Sequence, residues 1–312
     1  MGRDGGDGGD GLGEGLKVYL VDGTYELFRH YFGQPPRGAP GGAEVGAAIG
    51  VATSLVSMLA SGATHIGVAT DHVIESFRND LWPSYKTGAG VPEALLEQFG
   101  VLEILVEALG VTLWPMVELE ADDAMASAAD VATSDARVEQ VLLCTPDKDL
   151  AQCVDGSRVV QLDRRTSVVT DEEGVWTKFG VAPESIPDWL ALVGDNADGF
   201  PGLTGWGKKS ASTVLAHYCH LADIPDDVAE WDDGVRSSVR SAPRLAAVLA
   251  EERGLAELFL DLATLRVDRS LLPSVDELAW SGPTDAFADV CDQLGARSLA
   301  RRAASLAGRP GG

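Results

Sequence analysis

Histidine and cysteine are scarce in this sequence, five and four among 312 residues. The cysteines, Cys144, Cys153, Cys219 and Cys291, fall in no paired zinc spacing and form no dense disulfide framework. They are expected to be reduced thiols of a cytosolic protein. No histidine stands in a metal-ligand spacing, which argues against a zinc enzyme. No uncharged apolar run reaches about 18 residues, so no membrane span is expected. The opening "MGRDGGDGGDGLGEG" lacks the apolar centre of a signal peptide. Residues 1–15 are expected to be a disordered Gly/Asp tail.

Positive charge is also short: 24 Lys+Arg stand against 48 Asp+Glu, a formal net charge of −24. That argues against binding nucleic acid by bulk attraction. A contact through a few local basic groups remains open, as does negative charge gathered to hold cations.

What is present is apolar patterning. Hydrophobic residues make up 45% of the chain, enough for a sizeable core. Short apolar strands are expected at "LKVYLVD", "THIGVATD", "VTLWPM" and "VLLCTPD", with a strand pair at "RVVQLD" and "SVVT". Helical patterns separate the first four, among them "VGAAIGVATSLVSMLASG" and "PEALLEQFGVLEILVEALG". Strands alternating with helices imply an α/β fold whose parallel sheet is covered on both faces. This unit is expected over residues 16–180. Residues 181–307 are expected to be a helical region, and 308–312 a flexible tail.

Aspartates recur where those strands end: Asp22, Asp71 and Asp147. In an open parallel sheet, ligands bind beyond the carboxyl ends of the strands. These carboxylates should therefore share one edge. Glu120, Asp122 and Asp123 begin the helix after "VTLWP" on the same edge, and Asp149 begins the one after Asp147. A single Asp at a strand end is commonly a helix cap. The adjacent pair in "EADD" exceeds what a cap needs. Seven carboxylates with no visible Lys or Arg complement would repel one another unless divalent cations compensated.

The helical region repeats the theme in "GDNADGFPG", with Asp195 and Asp198 three apart. "GLTGWGKKSA" follows, placing Gly202, Gly205 and Gly207 before Lys208, Lys209 and Ser210. Glycines and a helix N-terminus suit close approach to phosphate. The stretch at about 187–220 looks like a helix–hairpin–helix (H3TH). It does not meet the frame of a nucleotide-binding P-loop, so no nucleotide cofactor is expected.

Together "LVDGTYELFRHYF", "FRNDLWPSYK", "LEADDAMASAA", "VLLCTPDKDLAQCV" and "LALVGDNADGFPGLTGWGKKSA" resemble the 5′-nuclease (flap endonuclease) superfamily. The likeness is above all to the bacterial 5′→3′ exonuclease domain of DNA polymerase I, and it covers about residues 16–270. It implies a PIN-like nuclease core followed by the H3TH region. It also implies that Asp22, Asp71, Glu120, Asp122, Asp123, Asp147, Asp149, Asp195 and Asp198 hold two or more Mg²⁺ or Mn²⁺ ions. Arg78 and Lys86 would stabilise the scissile phosphate. Arg29 and Tyr85 would hold the 5′ strand, an arch around 84–105 would thread it, and the hairpin would grip duplex backbone with a K⁺ ion.

Two departures are visible. Ala89 stands where such relatives carry a basic residue, and the helix expected in the arch bears Glu93, Glu97, Glu103 and Glu107. They point to a weaker or more structure-selective nuclease. The expected function is hydrolysis of DNA near 5′ ends, nicks or flaps in replication and repair. The setting would be a stand-alone cytoplasmic protein working at the nucleoid, away from membranes, with polymerase or ligase partners unassigned. The alternatives are a catalytically weak DNA-junction-binding module and a related ribonuclease. Lys148, between Asp147 and Asp149, is expected to be a solvent-facing charge.

Overall fold

In the computed structural model, residues 15–307 are described; the expected tails at 1–15 and 308–312 lie outside them but for Gly15. Six strands form one sheet: β1 (Leu16–Asp22), β2 (His65–Asp71), β3 (Thr112–Met116), β4 (Val138–Cys144), β5 (Val159–Asp163) and β6 (Val168–Thr170). Their order is β3-β2-β1-β4-β5-β6. The first five are parallel, and β6 closes the edge antiparallel to β5. β1 has β2 on one side and β4 on the other, so strand order reverses beside β1. That reversal opens a crevice at the carboxyl ends of the strands.

The strands alternate their side chains between two buried faces. Val21, Ile66, Val68, Leu142 and Cys144 face α1 (Gly23–Gly33), α2 (Gly46–Ala60) and α4 (Glu93–Ala108). Val18, Leu20, Ala69, Val141 and Leu143 face α5 (Ala121–Ser134). Between β2 and α4 lies only a four-residue helix, α3 (Arg78–Leu81), and a loop.

The helix expected to form part of an arch is a core helix. In α4, Leu95, Phe99, Leu102, Leu105 and Val106 recur at helical spacing and are buried against α2 and the sheet. Burial of that stripe fixes the helix on the sheet face. Of its acids, Glu103 is itself buried, accepting from Thr70 Oγ1 and His72 Nδ1, each at 2.8 Å. Gln98 has a further role. Val45, before α2, offers no side-chain cap. Gln98 Oε1 instead accepts from Ala47 N–H (2.9 Å) and Ala48 N–H (3.2 Å).

Beyond β6 come α6 (Glu172–Phe179), α7 (Ile186–Val193), α8 (Lys208–Tyr218), α9 (Asp233–Ser238), α10 (Ala242–Glu251) and α11 (Arg253–Ala263). They share a second core around Trp189, Leu190, Leu215, Leu249 and Phe259. The chain then returns to the sheet, unlike a helical region running unbroken to 307. Trp114 Nε1 donates to Leu271 O (2.8 Å) and Thr112 Oγ1 to Glu277 O (2.5 Å), covering the β3 edge. Pro115, which has no N–H, is tolerated on that edge. Phe287 and Cys291 of α12 (Phe287–Gln293) and Leu299 and Ala303 of α13 (Arg297–Ala307) join the core of α2 and α4.

Gln98→Ala is expected to lower the free energy of unfolding in urea by ~1–3 kcal/mol, because buried amides lose their acceptor. An unchanged unfolding midpoint would contradict this account of the cap.

Candidate metal centre

Each carboxylate is delivered by an element end. Asp22 closes β1 and caps α1, its Oδ1 accepting from Tyr25 N–H (2.7 Å) and its Oδ2 from Thr145 Oγ1 (3.0 Å). Asp71 closes β2 and accepts from Ala121 N–H (2.8 Å). Glu120 and Asp123 form the capping box of α5, with Glu120 N–H donating to Asp123 Oδ2 (2.9 Å). Asp122 lies between them. Past β4, Thr145 and Pro146 lead to Asp147, whose Oδ1 accepts from Asp149 N–H (2.9 Å). Asp149 opens a short 3₁₀ turn, Asp149–Cys153.

Asp195 and Asp198 come from the turn after α7. Its ends are joined by Asp195 N–H to Phe200 O (2.8 Å) and Phe200 N–H to Asp195 O (3.0 Å). Glycine is required here. A Cβ on Gly199, at φ +81°, would lie 2.3 Å from Ser84 O. One on Gly194, at φ +84°, would meet the Pro201 carbonyl carbon at the same distance. The turn thus docks against the loop before α4, where Lys86 N–H donates to Asp198 O (2.9 Å). Lys86 itself has φ +22°, which a non-glycine residue adopts only when its surroundings impose it.

The carboxylates do have cationic complements, contrary to the sequence expectation. Arg78 is 1% exposed. Its guanidinium reaches Asp123 through two bonds of 2.8 Å, Glu120 at 3.0 Å, and the carbonyls of Leu262 and Thr264. Burial works against its charge, but Asp123 and Glu120 outweigh burial and raise its pKa. It cannot meet a phosphate without leaving these partners, so the expected phosphate contact is replaced by a structural one. Asp123, 0% exposed, is filled by Arg78 and falls in neither carboxylate group described below. Lys86 Nζ lies 3.0 Å from Asp71 and 3.2 Å from Glu120. Lys148 is not a solvent-facing charge: its ammonium contacts Asp195 and lies 3.7 Å from Asp149.

What remains is two groups of carboxylates, each with oxygens within 4.8 Å of one another: Asp122, Asp147 and Asp149, and then Asp149, Asp195 and Asp198. Asp149 belongs to both. Burial first, then neighbouring carboxylates, pushes Asp122 and Asp149 well above the ordinary range. The same causes push Asp22 and Asp198 up to about 7. Asp149 Oδ1 is buried with no hydrogen-bond partner, and Asp195 Oδ2 meets Lys148 without an aligned hydrogen bond. Buried carboxylate oxygens without hydrogen bonds, all hard donors, fit a divalent cation.

The residues named for DNA divide. Tyr85 is buried, stacked at 6.4 Å on Phe200 in the helical core, so it holds the loop in place and cannot stack on a base. Arg29 is part-buried and paired with Glu26. Gly202, Gly205 and Gly207 shape the turn before α8, with Gly202 and Gly205 at positive φ. Ser210 Oγ accepts from Gly207 N–H (3.0 Å), while Lys208 and Lys209 stand exposed at the helix start. Sequence reasoning missed Thr145 and the contacts of Lys148. The tight Asp-Lys-Asp turn was the available signal for Lys148; nothing marked Thr145.

The family model described as "5'-3' exonuclease, N-terminal resolvase-like domain" matches residues 17–180, and that described as "5'-3' exonuclease, C-terminal SAM fold" matches 181–286. The chain belongs to the 5′-3′ exonuclease family. It is 34% identical over 263 residues to DNA polymerase I of Pseudomonas aeruginosa, across 84% of this chain and 28% of that protein's length. The chain thus spans about a quarter of that relative. A "5'-3' exonuclease" of Aquifex aeolicus is 31% identical, over 72% of this chain and 76% of its own. Among solved structures, the T5 D15 protein co-crystallised with metal ions superposes with a TM-score of 0.62 at 16% identity, covering 93% of this chain and 98% of that one. The catalytic core of Rad2 in complex with DNA substrate also gives 0.62, at 14% identity, covering 94% and 92%. These likenesses in structure are likenesses of fold. The expected 5′-nuclease family and its PIN-like core with a helical carboxy-terminal unit are met. Among the described residues, no helix is long and apolar enough to cross a membrane.

Two variants test the division between structural and metal-binding acids. Arg78→Ala is expected to cost ~3–5 kcal/mol of stability in urea unfolding, because Asp123 and Glu120 are left buried without their cation. A stability equal to wild type would return Arg78 to the substrate. Asp149→Asn is expected to raise the melting temperature of metal-free protein by relieving repulsion, and to remove most of the rise that Mg²⁺ or Mn²⁺ gives the wild type. A lower metal-free melting temperature with the metal response intact would contradict the shared role of Asp149.

Proposed function

We propose that this member of the exonuclease family is a divalent-metal-dependent 5′→3′ exodeoxyribonuclease and 5′-flap endonuclease. Its substrate would be DNA with a 5′ end, nick or flap. The observation that carries the reading is the pair of carboxylate groups joined through Asp149, beside a basic side chain, Lys86, on the rim. Asp122, Asp147 and Asp149 would hold one ion, with Asp22 beside them, and Asp149, Asp195 and Asp198 a second. Mg²⁺ or Mn²⁺ suits these oxygen donors. When bound, such ions lower the pKa of water and stabilise charge on phosphodiester oxygens.

The protein's own groups supply position and charge. Lys86, a quarter exposed and anchored between Asp71 and Glu120, is the cation best placed to turn towards a phosphate at the cluster. Thr145 orients Asp22, and the capping box sets Asp122 over the crevice. Lys208 and Lys209, at the start of α8, offer two exposed charges to duplex backbone, and the turn at 202–207 is where a K⁺ ion would sit. Recognition through so few cations suits the acidic surface. Residues 93–108 pack as a core helix, which leaves the loop before it, with Ala89, as the part of the expected arch beside the site, and the binding-module alternative rests on that loop.

The test is cleavage of a 5′-labelled flap duplex in Mg²⁺, in Mn²⁺ and in EDTA. Cleavage is expected with metal and not with EDTA, and Lys86→Ala should slow it by about a hundredfold or more. Binding without cleavage in either metal would overturn the enzyme reading. A preference for single-stranded RNA would favour a ribonuclease.

A further inference from the structure

The Lys148 ammonium lies inside the second carboxylate group, in contact with Asp195 and 3.7 Å from Asp149. Neither Asp122 nor Asp147 of the first group makes an ion pair among the described residues. The two groups therefore differ: one already contains a cation belonging to the chain. Asp195 and Asp149 hold that ammonium from two different elements, the turn after α7 and the 3₁₀ turn after β4. The backbone is pinned on either side, with Asp149 N–H on Asp147 Oδ1 (2.9 Å) and Ala151 N–H on Lys148 O (3.1 Å). The side chain is 29% exposed, so its head can swing to water without moving the turn.

We propose that Lys148 is a resident competitor for the second ion. A divalent cation reaches Asp149, Asp195 and Asp198 only by displacing the ammonium, so the two groups fill in sequence, with Asp122–Asp147–Asp149 first. The second ion is consequently held more weakly. This inference rests on the metal-dependent reading of the site and adds an order of filling to it. The consequence is a threshold: the fully loaded centre forms only when free metal, or a phosphate that brings its own affinity for metal, outcompetes Lys148. Lys148 is here a positioning residue, acting through the carboxylates.

The experiment is a titration of the full-length, chelator-treated protein with Mn²⁺, free ion being read by electron paramagnetic resonance. Wild type, Lys148→Met, Lys148→Arg and Asp195→Asn are compared, each with its circular-dichroism spectrum. The wild type is expected to show a tighter and a weaker class of ion. In Lys148→Met the weaker class should tighten about tenfold, as expected for removing one positive charge within a few ångströms of the ion. The tighter class, which shares Asp149 but not Asp195, should tighten by less, about threefold. Lys148→Arg should restore the wild-type order, and Asp195→Asn should lose the weaker class. An unchanged weaker class in Lys148→Met would overturn the proposal, as would an equal tightening of both classes. Absence of Mn²⁺ binding to folded wild type would overturn the metal-dependent reading itself, a result distinct from two wild-type classes indifferent to Lys148. Should Lys148→Met not fold, Lys148→Gln carries the same expectation.

Discussion

Carboxylates crowded at the carboxyl edge of a parallel sheet repel one another, and this fold is built around that repulsion. Strand ends bring Asp22, Asp71 and Asp147 to one line because parallel strands finish together. Glu120 to Asp123 arrive with the start of α5. Left uncompensated in a low-dielectric crevice, such a group would not assemble. Three internal cations divide it. Arg78 takes Asp123 and shares Glu120, Lys86 takes Asp71 and the rest of Glu120, and Lys148 reaches Asp195 and Asp149. Asp22, Asp122, Asp147 and Asp198 keep the excess, which is the charge a divalent ion would answer.

The same cations join the two parts of the molecule. Arg78 binds carbonyls at the end of α11, Lys86 N–H binds the carbonyl of Asp198, and Lys148 bridges from the sheet to Asp195. The second carboxylate group exists only because the turn at 195–200 is docked in this way. Gly199 and Gly194 permit that docking, since a side chain on either would strike backbone. Site geometry and domain packing are therefore one problem, and a substitution at the docking turn acts on both.

Much of this was legible in the sequence. Apolar runs ending in aspartate gave the strands, and their shared direction gave the edge on which the acids meet. The Asp-Lys-Asp turn and the Glu-Ala-Asp-Asp run were visible as more than caps. Three things were not. The helix at 93–108 carries four glutamates, which read as the acidic helix of an arch, but its apolar stripe faces the sheet and Glu103 is buried among hydrogen bonds. Arg78 was expected at the scissile phosphate, yet its partners Glu120, Asp123 and Leu262 lie 42 or more positions away. Sequence-local reasoning has no access to such pairs. Lys148 looked like the exposed residue of a turn because its partner Asp195 arrives from another unit.

The central claim is that two ions share Asp149. It is tested most directly by anomalous diffraction from crystals of the protein grown with Mn²⁺. The account predicts two peaks, one bounded by Asp122, Asp147 and Asp149 and the other by Asp149, Asp195 and Asp198. Ordered carboxylates with no peak in either place, at saturating Mn²⁺, would contradict it.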